Sequence, residues 1–284
     1  MLKSKKLGSL ILAALLSATL SSSARAEELD GMIQIKGSDT MVNLCQAWAE
    51  AFMAQHPKVT VAVTGGGSGT GIAAFISGTC DLAASSREMT DKEKSAAAAR
   101  GRSSREWRVA LDGLAVAVHP GNPVKQLTIA QLSRLYTGEI RNWKEFGGAD
   151  RAVVLLSREV NSGTHVYFKE HVLGAGNEFA PEALLMPSSQ AIADEVATNS
   201  AAIGYYGMGY LNPLNAAVAV AKTAQDPYQA PSEEYVRSGV YPIARPLFIY
   251  SVEQPQGLAK EFLDFTKSPR GQEIVRETDF VPVP

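Results

Sequence analysis

The stretch VAVTGGGSGTGIAAFISG, Val61–Gly78, decides how this chain is read. It begins inside KVTVAV, whose period-two alternation puts Val59, Val61 and Val63 on one side of a strand. It ends with Ile72, Phe75 and Ile76 on one face of a helix that Gly78 stops. Between them runs GGGSGTG, Gly65–Gly71. A helix start leaves backbone N–H groups unpaired at the positive end of its dipole, and glycine lets that backbone come close to a ligand. A strand, a glycine turn and a helix in this order therefore predict an anion-binding junction.

The same alternation extends outward. GMIQIKGSDT reads as a strand ending in a turn, followed by Met41, Leu44, Cys45, Trp48 and Phe52 at helical spacing. CDLAASS is a short strand, and TDKEKSAAAARG a surface helix with a threonine cap and a closing glycine. WRVALDGLAVAVHPGNP reads as two apolar strands before a Pro/Gly break. Further on come the helix LTIAQLSRLY, the strand RAVVLLS, the helix SQAIADEVATNS and the strands AIGYYGMG and AAVAVA. Residues Lys222–Tyr241 lack periodicity and read as a loop; PLFIYSVE restarts a strand, and two helices close the chain, the second opened by Ser268-Pro269. Strand–helix alternation predicts an α/β fold with largely parallel sheet.

The first residues are read apart from the fold. A basic MLKSKK, an apolar run Leu7–Leu20 and the small-x-small ARA ending at Ala26 form a secretory signal peptide, cleaved after Ala26. Its removal leaves 23 of the 27 basic residues against 29 acidic ones, a net of −6. So acidic a chain carries no electrostatic footprint for nucleic acid or anionic membrane, and an anion site must supply its own attraction. Cys45 and Cys80 allow one disulfide or two buried thiols. No Cys/His spacing suits a metal, and the four histidines read as surface or packing residues.

Four segments share the chemistry of the opening stretch: GSDT (Gly37–Thr40), GGGSGTG, SSR (Ser85–Arg87) and REVNSGT (Arg158–Thr164). Each follows a strand and offers hydroxyl donors, while Arg87 and Arg158 can add charge. Helix capping is the plainer role of any one of them; together they predict one site at the carboxyl ends of the strands. Competing motifs fall short. Ile72 follows Gly71 where a nucleotide-binding loop needs lysine, and Thr70 stands where a hydrolase elbow needs its last glycine. GTGIAA matches a dinucleotide fingerprint only loosely, since Glu88 lies beyond the strand end where the acidic residue belongs.

In order along the chain, GSDTM, GGGSGTGI, DLAASSREM, LTIAQLSRLYTGEIRNW, REVNSGTHVYF, AIGYYGMGYL and YPIARPLFIYS resemble the secreted phosphate-binding proteins of the bacterial high-affinity phosphate importer. The resemblance implies a two-lobed type II periplasmic binding protein, each lobe a mainly parallel sheet flanked by helices, with two hinge crossovers. Lobe I would comprise residues 27–118 and 247–284, lobe II residues 119–246. Such a protein encloses inorganic phosphate, delivers it to an ATP-binding-cassette permease of the inner membrane, and catalyses nothing; it needs no cofactor and is expected as a periplasmic monomer. By motif, Ser38, Thr40 and the Met41 N–H would bind from the first turn and Ser68 from the glycine turn. Arg158, Ser162, Gly163 and Thr164 would bind from the second lobe, and Ser86 and Arg87 from SSR. Many members carry an Asp where this chain has Ser86, although a related branch shares SSR; Asp39, or less directly Asp81, is the substitute acceptor. The alternatives are the same fold holding sulfate, arsenate or molybdate, and a secreted phosphoester hydrolase.

Overall fold

The computed structural model describes residues 29–284, so the expected signal peptide lies outside the described residues. The chain begins with β1 (Asp30–Gly37), α1 (Val42–Gln55), β2 (Lys58–Thr64), α2 (Ser68–Ser77), β3 (Leu82–Ser85) and α3 (Asp91–Ala99). There follow β4 (Ser104–Val118), β5 (Gln126–Thr128), α4 (Ile129–Tyr136), β6 (Val154–Arg158), α5 (Gly163–Phe168) and β7 (Leu184–Met186). The last elements are α6 (Ser189–Thr198), β8 (Ala202–Gly207), β9 (Ala216–Ala221), α7 (Glu233–Arg237), β10 (Ala244–Val252), α8 (Gly257–Lys267) and α9 (Pro269–Glu277).

Local chemistry accounts for most boundaries. Thr90 closes a capping box with Glu93 at the start of α3, Thr128 does the same with Gln131 for α4, and Ser268 caps α9 with Pro269 in its first turn. Gly78 ends α2 in the left-handed conformation, φ 76°. Two expectations fail. WRVALDGLAVAV forms one strand, because Asp112-Gly113 stays in register with Arg245 and Ala244 instead of turning. The segment expected as a loop contains α7, which Ser232 caps and whose Val236 is buried in the core.

The sheet runs β2-β1-β3-β10-β4-β8-β6-β7. β1 is parallel to β2 and β3, whereas β10 is antiparallel to both β3 and β4. Along β4 the partner changes: Ser104–Gly113 pair with β10, and Leu114–Val118 pair with β8 and β9. β4 thus joins two half-sheets, and β6 continues the second in parallel with β8 and β7. Strand alternation gives each half two apolar faces. Leu82 and Ala84 face the core under α1, α8 and α9, while Ala83 faces that under α2 and α3. Leu114, Val116 and Val118 face the core under α4 and α5, and Ala115 and Ala117 the core under α6. Trp48 donates from Nε1 to the Gly271 carbonyl at 2.8 Å, tying α1 to α9.

Gly71 shows how closely α2 lies on β1. A Cβ there would stand 2.4 Å from both Gly37 Cα and the Lys36 carbonyl oxygen, backbone atoms that cannot step aside. Gly71→Ala should therefore lower unfolding stability by about 1–3 kcal/mol or more in urea titration, the range for overpacked cores. Both cysteines are free; they lie in cores on opposite faces of the first half-sheet, which excludes their pairing. Burial pushes the Cys45 thiol up to about 12 and that of Cys80 to about 11. Since the thiolate is the nucleophile, neither should be alkylated by iodoacetamide at pH 8 until denaturant is added. Labelling of Cys45 at the native rate of a free thiol would contradict this packing.

Candidate functional site

The four turns arrive at one place by different routes. The first leaves β1 through Gly37, whose φ of 143° lets the chain pass Ala84 so closely that a Cβ would sit 2.1 Å from its carbonyl oxygen. The Ser38 N–H donates to that carbonyl at 2.9 Å, and Thr40 is wholly buried. The glycine turn reaches α2 through Gly66 and Gly67, both at positive φ, and begins the helix with a buried Ser68. At the end of β3 the Ser86 N–H donates to Ser68 Oγ at 3.0 Å, and the two hydroxyl oxygens stand 3.3 Å apart.

The fourth turn crosses from the other half of the sheet. Thr164 Oγ1 shares a hydrogen bond with Thr40 Oγ1 at 2.7 Å and lies 3.5 Å from Ser86 Oγ. Gly163 permits this approach: a Cβ there would be 2.4 Å from Ser68 Oγ and 2.8 Å from Ser86 Oγ. Thr40, Ser68, Ser86 and Thr164 thus form one buried cluster of hydroxyls drawn from both halves. A hydroxyl donates one hydrogen bond and accepts others, so such a cluster can serve an oxyanion in either protonation state.

Other expected residues take supporting places. Ser162 caps α5, accepting from the Thr164 and His165 N–H groups. The Met41 N–H donates to the Ser38 carbonyl at 3.0 Å, and its side chain fills the core. Asp39 is occupied on both oxygens: Oδ1 accepts from the Gly66 N–H at 3.0 Å, and Oδ2 from Arg158 Nη2 at 2.7 Å. Asp81, the other acceptor considered, instead takes the Gln34 N–H at 2.7 Å, midway along β1. Arg158 is buried among Met186, Pro187 and Ser189, which take its remaining bonds. Burial pushes its guanidinium below the ordinary value, and Asp39 opposes that shift.

Arg87 is the clear departure. Its guanidinium forks onto Glu93, both N···O distances 2.8 Å, and bonding to that carboxylate holds its pKa above the usual value. Glu93 is drawn there by the capping box of α3, so helix initiation accounts for the place of the arginine. It lies instead along a groove of about 730 Å³ between the Arg87–Asp91 segment and Val166–His171. Ser86 and Arg245 are the residues that this groove shares with the hydroxyl cluster.

Sequence reasoning missed Arg245, Asp112 and Asn161. Arg245 Nη2 lies 3.1 Å from Thr164 Oγ1 and 3.5 Å from Thr40 Oγ1. Asp112 accepts from Arg245 Nε at 2.9 Å and Nη2 at 2.8 Å. The available signal was a lone charge inside an apolar strand, VALDGLAV and ARPLFIY, which demands a buried partner. Asn161 ties the halves: its carbonyl accepts from the Gly69 N–H at 2.9 Å, and its Nδ2 donates to Gly66 O and Thr70 Oγ1. His165, adjacent to the SGT turn, faces Ser157 Oγ at 3.4 Å instead of a serine of the cluster. Among the described residues no group of His, Cys, Asp and Glu could hold a metal, and no helix is long and apolar enough to cross a membrane.

A family model described as a PBP superfamily domain matches residues 19–270. The phosphate-binding protein PstS of Bacillus subtilis is 36% identical over 265 residues, covering 93% of this chain and 85% of that one. PstS of Pseudomonas aeruginosa is 31% identical over 277 residues, covering 92% and 85%. A candidate phosphate ABC transporter substrate-binding protein from Clostridium perfringens, solved with bound phosphate, superposes with a TM-score of 0.82 at 32% identity. That match covers 89% of this chain and all of the other. An ABC-type phosphate transport receptor from Vibrio cholerae gives a TM-score of 0.70 at 30% identity, with the same coverage. Fold, order of motifs and extent of likeness agree: this chain belongs to the PBP superfamily and, within it, to the family of the PstS phosphate-binding proteins.

Proposed function

We propose that this protein captures inorganic phosphate between its two half-sheets and delivers it to an ATP-binding-cassette permease, with no chemical step of its own. The single observation that carries the reading is the meeting of Thr40, Ser68, Ser86 and Thr164 from four separate turns and both halves. Buried donors that cannot be reached by water bind an anion more strongly than the same donors in solvent. The expected ligand set is Thr40, Ser68, Ser86, Gly163 and Thr164, with Ser38, Met41 and Ser162 shaping the turns and Asp39 and Arg158 clasping the halves. The halves act as two lobes hinged at β4 and β10, where the pairing of β4 changes after Gly113. The leader ending at Ala26 supports export to the periplasm, where a monomer would meet its permease.

Titration of inorganic phosphate into ligand-stripped protein should saturate at one site and raise Tm; at a thousandfold excess over Kd the stabilisation is about 4 kcal/mol. Unchanged melting in millimolar phosphate would overturn the reading. Arg158→Ala strips Asp39 of its partner across the cleft and should weaken phosphate binding by about 3 kcal/mol, roughly a hundredfold in Kd. Arg100→Ala, at an exposed position beyond α3, should change nothing measurable.

A second reading, a site open to other tetrahedral oxyanions, draws on Asp39 and Asp112: each carboxylate is already held by an arginine and a backbone N–H. The acceptor for a protonated ligand is then a hydroxyl, which can turn round and donate to sulfate instead. Competition calorimetry with sulfate, arsenate and molybdate tests this. Rejection of sulfate by about 10⁴-fold or more would be the mark of a dedicated acceptor and would exclude the broader reading.

A further inference from the structure

We propose that Arg245, held in place by Asp112, is the arginine whose N–H meets the bound oxyanion. The inference rests on the oxyanion reading of the hydroxyl cluster. Arg245 sits on β10 where that strand runs beside β4, and Asp112 is its register partner across the pair. Both side chains are buried, 1% and 0% exposed.

The guanidinium has five N–H bonds in one plane, and four of them can be followed. Nε and one hydrogen of Nη2 go to Asp112 Oδ2, and Nη1 donates to the Ser86 carbonyl at 3.2 Å. The other Nη2 hydrogen points to Thr164 Oγ1 and Thr40 Oγ1, the two hydroxyls that close the cluster from opposite halves. Asp112 cannot turn away. Its Oδ1 accepts from the Met208 N–H at 3.0 Å, and both oxygens lie 3.0 Å from where a Cβ on Gly207 would stand. The Tyr167 ring lies 5.4 Å from Arg245 Cζ, and its hydroxyl donates to the Ala244 carbonyl at 2.7 Å. The arginine is therefore fixed on its protein side and aimed on its ligand side. Arg245 also lines the groove that adjoins the cluster, so an anion entering there meets it.

Arg158 differs in kind. Its partners are Asp39, Met186, Pro187 and Ser189, none of them a hydroxyl of the cluster. Arg245 contacts the ligand, Asp112 is a positioning residue, and Arg158 joins the halves.

The test is phosphate calorimetry on ligand-stripped wild type, Arg245→Gln, Arg245→Lys, Asp112→Asn and the control Arg100→Ala, each checked by circular dichroism and ligand-free Tm. Failure of the wild type to bind phosphate would remove the functional reading itself. Given wild-type binding, Arg245→Gln should lose at least a hundredfold in affinity. Arg245→Lys, which keeps charge without the fork, should recover part of that loss. Asp112→Asn should lose about tenfold, because the guanidinium is no longer held toward the hydroxyls. It should also steepen the fall of affinity with added salt, because the site then carries a net positive charge whose longer-range pull on the anion salt weakens. A folded Arg245→Gln protein binding within threefold of wild type would overturn the assignment. Should Arg245→Gln not fold, an Asp112→Asn protein with wild-type affinity and salt dependence would overturn it equally.

Discussion

The buried pair Asp112–Arg245, set across the two strands that join the halves, is the constraint on which the remaining structure depends. Two charges taken out of water are stable only when their remaining hydrogen-bonding groups are also satisfied. Here they are, by the Met208 N–H and the Ser86 carbonyl. The first ties β4 to the turn after β8 in one half, and the second ties β10 to the turn after β3 in the other. A slip of one residue between β4 and β10 would put these charges on opposite faces, so the pair fixes the register of the crossing. Removing one member leaves the other buried and uncompensated, at a cost of about 3–5 kcal/mol.

From that crossing the anion chemistry follows. The hydroxyl cluster lies against Arg245 and holds no unengaged carboxylate, since Asp39 and Asp112 are each neutralised by an arginine. Each ion pair is neutral as a unit, so under the proposed function attraction for an anion would come from oriented N–H and O–H dipoles with one guanidinium edge. Such a site suits an acidic protein: its pull acts only at short range, in a place from which water is kept out. The same kind of bonds joins the halves. Asn161, Tyr210 and Arg158 reach from the second half to the turns of the first, and Thr164 meets Thr40 between them.

Some of this was legible from local pattern. The glycine turn before Ser68, the threonine cap of α3, the helical spacing from Met41 to Phe52 and the Ser268-Pro269 start of α9 all appear where short-range chemistry puts them. Local reading went astray where a partner outside the segment overruled it. Asp112-Gly113 has the composition of a turn, yet runs straight because Arg245, far along the chain, takes the carboxylate. Arg87 has the setting of a ligand, yet Glu93, six residues on, claims it.

By itself the sequence determined the alternation of strands and helices, the family, and the kind of atoms the turns would offer, because these rest on periodicity and on residue type over a few neighbours. Tertiary structure alone decided which turns meet, which arginine faces the hydroxyls and which carboxylates are left for a ligand. Those outcomes depend on contacts between residues as distant as Ser86 and Arg245, and a hydrogen bond is directional: a few tenths of an ångström, set by the packing of two half-sheets, decides who donates to whom.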